Sequence, residues 1–257
     1  MKYFKIILFL VFLFIGIVTK SQNLGSNLVK NYSFEDYFNC PYNNGQFIFC
    51  KFWWGYSCDY MNSCDNTYCG VPYSSSGYQN AKTGDAYAHF IIYTSQIGPW
   101  KEYIKSRLQT KLVKNKRYCT ELNISVADRC VTESSSHNFP YLDSIGIFFS
   151  HDTILDTYTP LYGLNPQVNN SITGIDTSSW RAIRGSFVAN GSEDFFAIGN
   201  YTDTVPWPAG QVGGLSLFVD DVSVCECSFD INLGADTSQC EGKSLILNSN
   251  LPNATYT

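Results

Sequence analysis

An all-β fold, a β-sandwich, is what this 257-residue sequence predicts, and three observations carry the prediction. The runs Trp180–Ala189, Glu193–Asn200 and Leu215–Val224 alternate apolar with polar residues, which places one face of each strand in a core and the other in water. The composition, 18 Tyr, 18 Phe and 5 Trp against two Met, suits pleated, half-buried surfaces and aromatic contact platforms. Ten cysteines follow a leader-like start, the pattern of a chain that folds in an oxidising compartment.

The chain opens with Lys2 and Lys5 ahead of an apolar run from Ile6 to Val18, followed by Thr19, Lys20 and Ser21. This predicts a secretory signal peptide over residues 1–21 and a mature chain that is secreted or displayed at the cell surface. The thirteen-residue run is too short to cross a hydrocarbon core of ~30 Å, so no membrane span is expected. Three lysines leave with the leader, so 14 basic face 22 acidic side chains, a net charge of −8. That balance excludes nucleic acid as a natural partner.

Asn27-Leu-Val-Lys-Asn-Tyr-Ser-Phe-Glu35 near the start and Asp220-Asp221-Val222 near the end, with the alternating runs between them, resemble the galactose-binding-like jelly-roll modules that bind carbohydrate. The resemblance spans roughly the whole of residues 22–228 and implies a jelly-roll β-sandwich there. It further implies a structural calcium ion held by Glu35 with Asp220 or Asp221, backbone carbonyls completing the shell. The chain departs from the family opening at Lys30, commonly Pro, and at Tyr32, commonly Gly. A positive-φ turn at Tyr32 would be strained and would spoil the calcium geometry.

Cys40, Cys50, Cys58, Cys64 and Cys69 crowd into thirty residues rich in Asn, Gly, Ser and Tyr. They predict a long irregular insertion stapled by disulfides, without a core of its own. Zinc at Cys58, Cys64 and Cys69 is the weaker reading, since close Cys-x2-Cys pairs and a nearby His are missing. Cys225 and Cys227, at alternate positions, face one side of a strand, and each is expected to reach a different partner. In Lys101–Val113 the residues Ile104, Leu108 and Leu112 stand four apart, which a helical turn or two would satisfy. The resemblance implies extended chain there instead.

Candidate ligand contacts come from Phe52-Trp-Trp-Gly-Tyr56, because flat rings pack against the C–H faces of pyranoses while polar side chains bond the hydroxyls. Adjacent Trp53 and Trp54 cannot both face outward on a strand, so one fills the core. Trp54, Tyr56 and Trp207, the last in a proline-bounded loop, are the expected contacts; Trp53 and Trp180 are expected in the core. Packing alone would also account for the rings. The couplets Glu35-Asp36 and Glu193-Asp194 read as edge charge, since neighbouring strand residues point to opposite faces and cannot form a hydrolytic pair. His151-Asp152 reads as a solvated strand end, and no nucleophile elbow, metal helix or phosphate loop is present in the sequence.

After Cys227 the chain resembles the opening strands of immunoglobulin-like repeats in large surface proteins of gliding bacteria, commonly exported by type IX secretion. Residues 229–257 are expected to begin such a domain, which needs ~100 residues to close. By that resemblance Cys240 would bond a cysteine the sequence does not contain. The predicted function is a non-catalytic extracellular glycan-binding or adhesion module of a larger protein. Its rivals are an accessory domain of a secreted hydrolase and a purely structural, protein-binding module.

Overall fold

Two five-stranded antiparallel sheets face each other across one apolar core in the computed structural model, which describes residues 25–94, 100–130, 141–154, 161, 163–173, 176–202 and 214–227. One sheet runs β1 (Trp53–Trp54), β6 (Ile104–Arg107), β11 (Phe195–Asn200), β8 (Tyr141–Ser150), β9 (Val168–Thr173). The other runs β10 (Arg181–Val188), β7 (Arg117–Val126), β12 (Gly214–Glu226), β5 (Ala86–Thr94), β2 (Asp59–Asn62). A small hairpin, β3 (Tyr73–Ser74) with β4 (Gly77–Tyr78), stands apart. From β5 onward the chain crosses between sheets in the order of an eight-stranded jelly roll, so the expected fold class is the observed one. Trp207, the leader and residues 229–257 lie outside the described residues.

The alternation in the sequence translates directly into burial. Ala86, Ala88, Phe90 and Ile92 of β5 point into the core, as do Leu122, Ile124 and Val126 of β7. In β12 the core positions step from Leu215, Leu217 and Val219 to Val222 and Val224, and the three-residue step marks a bulge between Asp220 and Ser223. Asp221, at φ 50°, is the residue that makes it. Around Ile104 the chain is strand and not helix, paired on both sides by β1 and β11; an offset of four keeps residues on one face in either structure, so the spacing alone does not choose. Ile104, Leu108 and Leu112 are all buried along that extended path.

The 40–69 insertion departs from its prediction in two ways. It is stapled by Cys40–Cys64, but Cys50 and Cys69 are buried thiols. It also contributes β2 to a sheet, and its Met61 and Cys69 close a second apolar cluster with Tyr87, Ala127 and Phe218 on the sheet's outer face. That face was too apolar to be left in water. Cys227 bonds Cys119, while Cys225 stands directly opposite Cys119 in the β12–β7 ladder and keeps its thiol.

Candidate functional site

The two tryptophans of β1 separate as alternation requires. Trp53 turns inward, 3% exposed, 4.8 Å from the Phe34 ring and edge-on to Phe196 at 5.5 Å. Its Nε1–H donates to the Asn31 carbonyl at 2.9 Å, so the buried indole leaves no polar atom unpaired. Trp54 takes the opposite face, half-buried and edge-on to Phe195 at 6.3 Å.

Three residues far apart in sequence complete a cleft around Trp54. Phe52 has φ 70°, and Ser106 Oγ donates to its carbonyl at 2.9 Å; its ring stays half exposed. Lys30 follows Val29, which bridges to Leu108 beside β6, and its ammonium lies 5.3 Å from the centre of the Phe52 ring. Arg107, at the end of β6, sits 5.4 Å over Phe195 and donates from Nε and Nη2 to Asp194 Oδ2 at 3.1 and 2.9 Å. Lys30, Phe52, Trp53, Trp54 and Arg107 line a cleft of about 360 Å³. Sequence reasoning found Trp54 through the adjacency of two tryptophans. Phe52 lay within the same aromatic segment, whereas Lys30 and Arg107 were missed, because only chain pairing around β6 brings them to it.

Tyr56 is placed elsewhere. Its ring packs 5.8 Å from Trp100 and does not line the cleft. Trp180, expected in the core, is not there: it is only partly buried and packs against the second cluster on the sheet's outer face, 5.8 Å from the Tyr87 ring, with its Nε1–H on the Asn80 carbonyl. A second cleft of about 310 Å³ is lined by polar groups including Ser144, Asn165 and Asn169; its one ring, Tyr201, is 5% exposed and offers no stacking face.

The acids expected at a calcium site do converge. Asp220 Oδ2 accepts from the Lys82 and Thr83 amides at 2.8 and 3.2 Å, and Asp221 Oδ1 accepts from Thr83 Oγ1 at 2.6 Å. Glu35 accepts from the Asp85 and Ala86 amides at 3.1 and 3.2 Å. The three carboxylates thus clasp the 82–86 loop from the N-terminal segment and from β12. Burial, with the nearby Asp221 charge, pushes Asp220 up to about 8, and burial raises Glu35 as well. This arrangement brings carboxyl oxygens together at one loop. Its oxygens are turned toward N–H and O–H donors, however, and among the described residues no group of three or more His, Cys, Asp or Glu side chains is placed to hold an ion. The strain feared at Tyr32 does not arise, because the positive φ values fall on Asn31 and Phe34.

The edge-charge reading of the acid couplets needs correction. Glu193 is 2% exposed and accepts from the Asn190 and Gly191 amides at 2.9 Å each, Asp194 holds Arg107, and Glu35 holds its loop. Turn amides need acceptors more than strand edges need charge. His151 and Asp152 are a solvated pair at 2.7 Å, as expected.

No family model matches the chain, and no curated protein matches it. Among solved structures it is similar to the K2 cleaved adhesin domain of Lys-gingipain, at 9% identity and a TM-score of 0.43, over 77% of this chain and 97% of that one. It is similar to the K3 cleaved adhesin domain of Lys-gingipain from Porphyromonas gingivalis at 10% identity and a TM-score of 0.40, over 80% and 99% of the two chains. It is also similar to the N-terminal cellulose-binding domain of Cellulomonas fimi beta-1,4-glucanase C, at 11% identity and a TM-score of 0.32, over 59% and 83%. These likenesses are too distant to carry a functional reading.

Proposed function

We propose that the chain is a non-catalytic extracellular glycan-binding module whose contact surface is the Trp54 cleft. The observation that carries the reading is a half-exposed indole held rigidly on β1 beside an exposed phenyl ring, with donors from Lys30 and Arg107 at the margin. A pyranose laid on Trp54 would bury its C–H face while its hydroxyls meet those donors. The Cys40–Cys64 and Cys119–Cys227 bridges support an oxidising, extracellular setting. One shallow platform buries few ligand atoms, so affinity for a single glycan should fall on the order of 10 μM to 1 mM, and adhesion would draw on avidity.

The test is a broad glycan array followed by titration calorimetry on the chain and on Trp54→Ala. Saturable binding that this substitution removes supports the reading. An empty array turns the account toward a structural, protein-binding module, and reducing sugar released over time turns it toward a hydrolase.

A further inference from the structure

We infer that the Trp54 cleft selects acidic saccharides, pyranoses bearing a carboxylate or a sulfate ester; the inference rests on the glycan-binding reading above. The lining presents two cations and two accessible rings, Phe52 and Trp54, and includes no acid, in a chain whose acidic side chains outnumber the basic ones 22 to 17. A neutral sugar needs no such exclusion of carboxylates, since Asp and Glu are good acceptors for hydroxyls.

Each cation is placed as an anion partner. Lys30 is exposed, and its ammonium rests over Phe52 while making no ion pair among the described residues. Arg107 keeps a side chain 63% exposed and gives two donors to one oxygen of Asp194. That grip and the Phe195 face beneath hold the guanidinium at the cleft while engaging only two of its donors. The sugar ring would lie on Trp54 with its acidic substituent reaching the cations at the margin.

The experiment uses the full chain and three oligosaccharides of equal length: a galacturonate, a sulfated galactan and a neutral galactan. Calorimetry at about 50 mM NaCl should show the acidic probes bound roughly five- to twentyfold more tightly than the neutral one, with the difference shrinking at about 500 mM as screening shortens the reach of charge. Lys30→Met, an exposed change that keeps the apolar stem, should lose most of the preference, weakening the acidic probes several-fold more than the neutral one; Trp54→Ala should lose both. Preference for only one acidic probe supports the inference and identifies the group. Equal binding of acidic and neutral probes, or a preference that survives both Lys30→Met and Arg107→Gln, overturns the selectivity and leaves glycan binding standing. No binding by any probe overturns both.

Discussion

Replacing Gly84 by alanine probes the acid clasp where it is tightest. Gly84 has φ 64°, and a Cβ built there would meet the Glu35 carboxylate, 2.5 Å from Cδ and 2.9 Å from Oε2. The left-handed backbone costs an alanine about 1–2 kcal/mol. The methyl group also expels Glu35, and losing a charged acceptor for the Asp85 and Ala86 amides adds about 2 kcal/mol. Gly84→Ala should therefore destabilise by about 3–4 kcal/mol, and Glu35→Ala alone by about 2. In the double variant the clash has no target, so the loss should stay at about 3–4 kcal/mol instead of the additive 5–6, a coupling of about 2. Urea denaturation of the four proteins, with slopes compared to confirm a common two-state transition, measures the cycle. Additivity within about 0.5 kcal/mol would show that Glu35 does not clasp this loop.

Three further outcomes follow from the same structure. Asp220 and Glu102 are pushed up to about 8 by burial, so between the ordinary carboxylate range and pH 8 the folded state holds more protons than the unfolded. Stability should then fall as pH rises from about 4 to 8, by up to about 1 kcal/mol per pH unit for each group, and Asp220→Asn should remove its share; thermal melts showing stability climbing over that range would contradict the assignment. Calcium at Glu35, Asp220 and Asp221 is a proposal with its own measurement: bound ion stabilises by mass action, so excess chelator should lower the melting temperature and calcium restore it, whereas an unchanged curve leaves the amide clasp as the whole account. Trp53→Ala should cost about 3–5 kcal/mol because it empties a core site, while Trp54→Ala should cost under about 1; equal losses in denaturation would erase the inward-outward distinction.

Much of the fold was legible because period-two alternation survives into the sheets, and even the β12 bulge shows in the three-residue step from Val219 to Val222. The Ile104 segment was ambiguous because a spacing of four serves helix and strand alike. The insertion's second cluster was hidden, since nothing in Cys58–Cys69 announces that the outer face of β5 needs cover. Of the candidate site, Trp54 was legible from local geometry and the acids Glu35, Asp220 and Asp221 from a resemblance. Lys30 was visible only as a departure from a common proline, and Arg107 not at all, because its meeting with Trp54 depends on the β1–β6 register.

The account's central claim is that ligand meets Trp54. Indole N–H resonances of the five tryptophans, assigned by single Trp→Phe substitutions and followed while a bound oligosaccharide is titrated, test it directly. The Trp54 signal should shift saturably while those of Trp53 and Trp180 stay in place. A titration that moves Trp180 or Trp207 and leaves Trp54 untouched would contradict it.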